Sequence, residues 1–450
     1  MPLEVHVGFD DTDSPLGGCT TYIGARLVEI LAEKGFAFLD YPNLVRLNPN
    51  IPWKTRGNGA VCLRLSVGGE GDYEELKETV LAFIRSHYEK AWKDTEPAVA
   101  FLRGSVPPML RSLSQKALRR VVEPREALRV LRACGGEALE LEGRQGVVGA
   151  AAAVGETLEG DHTYEAVAYR LPERRGEPRA VSFDSVVEMD RATRPWTFNN
   201  LDPETGRVLV TPRGPDPVLL GVRGETPEAV KKALSMVETG EKPERWAVFR
   251  TNQGTDAHLG ETVKIRDIPP YSAVVVEGFV AQPPQTAPGG HVIFRLKDAT
   301  GEIFCAAYEP TGNFRNTVRA LRVGDRVKVY GGLRKAQPLG PRTVNLEKLE
   351  VLETAPVVEF RSPLCPRCGK RMTSMGAHKG FRCEKCKHRS STLRRVPFPI
   401  PRSLSSGLYM PPPRAHRHLT KPLSRYGLEK AGKPGSPPRP EAFWGLGPPA

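Results

Sequence analysis

The sequence predicts a multidomain α+β chain, and three stretches carry that prediction. Val5-His6-Val7-Gly8-Phe9 alternates as a half-buried strand does and ends in Asp10, Asp11 and Asp13. It then passes Gly17-Gly18 and opens into a helix over 22–34 with Ile23, Leu27, Ile30 and Leu31 on one face. Between 271 and 353 five apolar strands follow one another, with a short helical run after the third. Cys365-Pro366-Arg367-Cys368 and Cys383-Glu384-Lys385-Cys386 are two C-x₂-C pairs at metal-ligand spacing.

At 450 residues the length suggests about three domains. The formal charge of +13 favours a polyanionic partner, nucleic acid foremost, over a merely basic surface. Cys19, Cys62, Cys134 and Cys305 are scattered, so the eight cysteines read as one metal site in a reducing compartment rather than a disulfide framework. Neither a signal-peptide pattern nor a bilayer-length apolar run is present, and the expectation is a cytoplasmic protein without a membrane partner.

A strand–loop–helix junction is where α/β proteins place ligands, because strand ends and a helix N-terminus converge there. Asp10, Asp11 and Asp13 suit a Mg²⁺ site, and Gly17-Gly18 lets backbone N–H groups approach phosphate; the other reading is an acidic turn that caps the helix. The junction lacks the Gly-Lys-Ser/Thr ending of a Walker A loop. Next come a strand over 44–47 and a loop over 48–60 rich in Pro, Gly and Asn. Lys54 and Arg56 in that loop suit a phosphate chain or an RNA backbone, or are simply solvated. A strand over 60–67, a helix over 74–91, a strand over 99–102 and a helical stretch over 107–134 complete an α/β domain covering 1–140, with Lys116, Arg119 and Arg120 on a basic face.

Residues 141–262 read as a ferredoxin-like βαββαβ domain. Its helices are predicted over 147–158 and 226–238, and its strands over 163–169, 218–222 and 246–250. Arg191 to Asn200 mixes cations, amides and aromatics in a long connection, either a base-stacking loop or a core plug. The loop over 250–258, ending in His258, is polar. The five strands of 270–355 are in OB-fold order, with Arg295 and Lys297 among the residues offering charge to single-stranded nucleic acid. Residues 358–392 read as a zinc ribbon in which four thiolates leave no open position on the metal. The Pro-rich basic stretch 393–450 carries Arg414 and Arg417 and reads either as a disordered tail or as an arm that orders along RNA.

Several blocks of the sequence closely resemble the archaeal 2-agmatinylcytidine synthetases of the CAU-anticodon isoleucine tRNA. They are Gly8-Phe9-Asp10-Asp11-Thr12-Asp13-Ser14, Cys19-Thr20-Thr21-Tyr22, Arg46-Leu47-Asn48-Pro49 and Lys54-Thr55-Arg56-Gly57-Asn58-Gly59-Ala60. Asp161-His162-Thr163-Tyr164-Glu165, the run 249–256 and Arg414-Ala415-His416-Arg417-His418-Leu419 extend the resemblance over essentially the whole chain. It implies the domain order kinase-like, ferredoxin-like, OB-fold, zinc ribbon. It also implies ligation of agmatine to C2 of the wobble cytidine, with ATP converted to AMP and two phosphates and no protein partner required. In that family the γ-phosphate activates the C2 oxygen before the amine displaces it. The resemblance further implies phosphate acceptance by Thr20, and the residues themselves offer Asp10, Asp11 and Asp13 for catalysis and Gly17, Gly18, Lys54, Arg56 and Asn58 for ATP binding. Phe9 stands where the family is expected to have isoleucine, a departure that touches no polar group.

Overall fold

The structure, a computed structural model, describes residues 2–55, 57–333, 341–433 and 438–449. The first half of the chain runs β1 (Leu3–Asp10), α1 (Thr20–Glu33), β2 (Ala37–Phe38), β3 (Asn43–Arg46), β4 (Gly59–Val67), α2 (Glu70–His87) and β5 (Ala98–Arg103). It continues through α3 (Pro108–Arg119), α4 (Pro124–Ala133), β6 (Glu137–Glu140), α5 (Gly146–Gly155), β7 (Thr163–Tyr169), α6 (Phe183–Thr193), β8 (Thr197–Phe198), β9 (Val218–Gly224), α7 (Pro227–Met236) and β10 (Arg245–Thr251). The strands join in one sheet of order β6-β5-β1-β4-β3-β10-β7-β9-β8. Its seam is the short parallel pairing of β3 with β10, Asn43 opposite Arg250 and Leu44 opposite Thr251. One core binds α1, α2, α6 and α7 to one face of the sheet, and a second binds α3, α4 and α5 to the other face of its first half.

Two helix assignments differ from the sequence pattern. The small-residue helix expected to open the ferredoxin-like unit is α5, which instead packs on β1, β4 and β5. Its closeness depends on glycine: a Cβ on Gly8 would lie 2.2 Å from Ala150 O, and one on Gly155 would lie 2.4 Å from Leu110 O. The helix that fills the unit is α6, capped by Ser182 Oγ accepting from Ser185 N at 3.3 Å. It gives the order β10-β7-β9-β8, and Arg191 to Asn200 becomes the end of α6 plus β8. The helical stretch over 107–134 is broken before Pro124, whose missing N–H suits a first-turn position.

The second half begins with a closed barrel: β11 (Ala273–Thr286), β12 (Val292–Asp298), β13 (Gly301–Ala307), α8 (Phe314–Arg319), β14 (Arg326–Leu333) and β15 (Thr343–Glu353). The order β13-β12-β11-β14-β15 closes by parallel pairing of β13 with β15, around Phe294, Leu296, Val327 and Val329. Short strands at 373–374, 381–382 and 389–390 form the ribbon.

The described part of the C-terminal stretch packs on the protein. Residues 407–409 pair with β15, residues 444–446 pair with β10, and Phe443 is fully buried against Phe38 and Tyr41. Its arginines meet acids of the body, which is what holds a basic, proline-rich segment in place. Among the described residues, no helix is long and apolar enough to cross a membrane.

Candidate active site

The C-terminal ends of β1, β3 and β10 lie along one edge of the sheet, since β1 and β3 are each antiparallel to β4 and β3 is parallel to β10. Above that edge is a cavity of about 250 Å³ that brings together Asp10, Asp11, Asp13, Thr20, Arg46 and Lys54. The acids stand over β1. Burial, with the charge of Asp11 beside it, raises the Asp10 pKa well above the usual carboxylate range. Burial raises that of Asp11 to about 6 even though Asp11 Oδ2 accepts from Glu96 N at 3.1 Å. Asp11 has a φ of 58°, a left-handed turn that an aspartate tolerates. Carboxylates that resist ionising together are the donor set a hard cation suits.

α1 contributes its N-terminus. Cys19 at the cap position makes no side-chain capping bond, and Thr20 and Thr21 line the cavity with it. First-turn N–H groups so placed favour an anion. The Thr20 hydroxyl accepts from Thr12 Oγ1 at 3.0 Å in a buried contact. Opposite, Arg46 is clamped through its backbone by Asn252, N to Oδ1 at 2.8 Å and O from Nδ2 at 2.9 Å. Its guanidinium lies 3.7 Å from Glu165 Oε2, and burial lowers its pKa while Glu165 opposes that. His418, from the far end of the chain, enters the same wall, and its Nδ1 lies 3.0 Å from Gln253 Oε1.

The remaining candidates spread out. Asn58 lines the cavity, but its Nδ2 donates to Asn48 O at 2.7 Å, tying its own loop. Gly17 and Gly18 lie outside the lining and shape the turn: Ser14 and Gly17 exchange backbone bonds of 2.9 and 3.3 Å, and Gly18 has a φ of 72°. Arg56 lies outside the described residues. Arg417 lines a second cavity of about 470 Å³, which shares Arg46, Leu47, Lys54, Gly57 and His418 with the first and runs toward the barrel. Its Nε is 3.3 Å from Glu347 Oε1. Arg414 spans Asp202 and Glu204 at 2.8 and 2.7 Å. Arg295 sits on the barrel over the Phe304 ring, 4.7 Å from its centroid, and bonds Glu302; Lys297 is exposed two residues along. The ligand sulfurs of Cys365, Cys368, Cys383 and Cys386 all lie within 4.8 Å of one another.

Sequence reasoning missed Gln145 and Gly149 of the cavity wall, because the helix they begin was placed elsewhere. Arg46 and His418 were visible only as parts of longer motifs.

Comparison with known proteins matches the chain in consecutive blocks. Residues 6–143 match the TiaS TCKD domain, 144–258 the TiaS FLD domain, 274–352 an OB-fold nucleic acid binding domain, and 362–404 the TiaS C-terminal zinc ribbon domain. The isoleucine-tRNA 2-agmatinylcytidine synthetase TiaS of Pyrococcus horikoshii is 43% identical over 421 residues, which is 94% of this chain and 97% of that protein. The crystal structure of a TiaS complex with its isoleucine tRNA and ATP is similar with a TM-score of 0.82 and 38% identity. That of a TiaS complex with the same tRNA, AMPCPP and agmatine is similar with a TM-score of 0.80 and 36% identity. Each covers 94% of this chain and 97% of the other.

Proposed function

The chain belongs to the TiaS family of isoleucine-tRNA 2-agmatinylcytidine synthetases, and from that premise we infer that it is a ligase joining agmatine to the wobble cytidine of the CAU-anticodon isoleucine tRNA. ATP is the co-substrate and is converted to AMP and two phosphates, one of them the group that leaves C2 and the other released as water cleaves the α–β anhydride. The observation that carries this reading is the cavity in which three carboxylates and a helix N-terminus face Arg46 and Lys54.

The oxygen on C2 of a pyrimidine is a very poor leaving group. Phosphorylating it makes the later departure that of phosphate, while the primary amine of agmatine forms the new C2–N bond and loses a proton. Lys54, Arg46 and the first turn of α1 draw in and orient the transferred phosphoryl group, whose charge grows where these donors already point. Thr20, buried at the helix start, offers its hydroxyl as a phosphate acceptor. Asp10, Asp11 and Asp13 are the residues that would hold Mg²⁺, and the ion when bound neutralises phosphate oxygens. Zinc in the ribbon is structural, since four thiolates fill its coordination.

The second cavity and the barrel guide the RNA, with Arg417, Arg295 and Lys297 meeting phosphates and Arg414 bracing the segment that carries Arg417. The wobble base has to leave its stack to enter. We infer a cytoplasmic location for the reaction, where its tRNA substrate is used.

The test is mass spectrometry of tRNA nucleosides after incubation with ATP and agmatine. A mass gain at the wobble cytidine that needs all three substrates is the expected result. Sustained ATP turnover, beyond one equivalent per protein, without tRNA or agmatine, or no modification at all, would refute the reading.

A further inference from the structure

We propose that His418 touches the substrate, presenting the lone pair of Nε2 to the exocyclic amino group of the cytosine; this deepens the function proposed above and rests on it. Glu165, held by Arg223 at 3.1 Å, accepts from Gln253 Nε2 at 2.5 Å. That donation turns the Gln253 amide so that Oε1 is the atom facing His418 Nδ1, at 3.0 Å. An amide oxygen only accepts, so the proton sits on Nδ1 and Nε2 is left as an acceptor. The ring stays neutral because the Arg46 guanidinium and burial hold its pKa well below the ordinary value. His418 lines both cavities, and a Cβ on Gly57, which also lines both, would lie 3.0 Å from Nε2.

The placement selects the ligand atom. The acids stand over β1 and Gln253 follows β10, three strand spacings along the sheet, about 14 Å. Phosphate transfer and amine attack both occur at C2 and so belong at the acidic end. With the C2 oxygen facing that end, the 4-amino group of the ring turns toward the other wall, where a donor meets the Nε2 lone pair. Uracil would bring an oxygen there instead, and two acceptors would face each other.

The experiment is a double cycle on the full-length protein. Agmatinylation kcat/KM is measured for tRNA carrying either cytidine or the 2-pyrimidinone nucleoside, which lacks the 4-amino group, at the wobble position. The proteins are wild type, His418→Asn, which keeps a donor to Gln253 and loses the Nε2 acceptor, and His418→Gln, which places an oxygen near Nε2. Deleting the amino group alters ring electronics equally in all three proteins, so that effect cancels in the cycle.

We expect the deletion to cost wild type roughly tenfold or more. His418→Asn should lose a similar factor on cytidine and nothing further on the amino-free base, and His418→Gln should keep part of the preference. Losses that multiply in His418→Asn, or a wild type indifferent to the amino group, would overturn the assignment. Should His418→Asn fail to fold, His418→Gln decides against wild type: a cytidine preference reduced below that of wild type supports the assignment, and one equal to it overturns it. A wild type that makes no product on cytidine counts against the ligase function itself, not against His418 alone.

Discussion

The carboxylate of Asp10 rests on the bare α-carbon of Gly149: a Cβ there would fall 1.7 Å from Asp10 Oδ2. One turn earlier, Gly146 leaves room for the backbone of Glu96 and Ala98, so the start of α5 sets where the acid at the end of β1 can lie. Gly149→Ala should therefore displace Asp10, although alanine is the better helix former by about 1 kcal/mol. ATP turnover should fall roughly tenfold or more, whereas Gly160→Ala, with open space around it, should leave turnover unchanged. Steady-state rates for the two variants check this, and equal activity would dissociate Gly149 from the site.

Asp11 links the site to pH. Its folded pKa of about 6 is raised above the ordinary value of 3.8, so between those values the folded protein holds more protons than the unfolded chain. Stability without added metal should fall as pH rises through 6, by up to about 3 kcal/mol from this residue. Asp11→Asn should stabilise the metal-free protein at pH 8, change little at pH 4, and lower ATP turnover about a thousandfold. Denaturant melts at the two pH values, with and without Mg²⁺, test the assignment. A variant that still turns over ATP with the same Mg²⁺ requirement would remove Asp11 from it.

Thr20 bonds a buried neighbour, Thr12, so its hydroxyl is held still at the cavity wall. Thr20→Val should cost about 1 kcal/mol of stability but far more of the reaction. Incubating wild type with γ-labelled ATP should label the peptide containing Thr20, and an unlabelled peptide would end its role as acceptor.

Arg425 is fully buried between Glu225 and Asp161, at 2.5 and 3.0 Å. Arg425→Met would leave those carboxylates short of a partner, at a cost of about 3 kcal/mol. The segment that carries His418 should loosen, protease should cut within 401–433 faster, and agmatinylation should fall. Unchanged protease resistance would mean that other contacts hold the segment.

Cys383 is buried beside Cys365, Met372 and Phe381, a core too small to stand without its metal. Cys383→Ser should release zinc and unfold the ribbon, since structural zinc contributes on the order of 10 kcal/mol to such domains. Binding of tRNA should weaken and its salt dependence flatten by roughly one slope unit per lost phosphate contact, while ATP affinity holds. Titrations across a salt series decide, and an unchanged slope with the zinc gone would exclude the ribbon from RNA binding.

Much of the fold was legible because its signals are local. The β1 alternation, the apolar face of α1, the strand order of the barrel and the paired cysteines each lie within a few dozen residues and need no partner to be recognised. By itself the sequence determined that three acids end one strand and that cations lie on the next loop. Tertiary structure alone decided which of these meet. The helix of small residues went to β1 rather than to the ferredoxin-like unit because glycine permits contact with either half of the sheet, and only the facing atoms of Gly8 and Asp10 choose between them. The C-terminal segment reads as solvated because its arginines are charged. Their partners, Asp161, Asp202, Glu225 and Asp325, stand far away in sequence, and pairing at such distance is set by how the sheet and the barrel pack. That packing brings His418 to Arg46, a proximity no local pattern encodes.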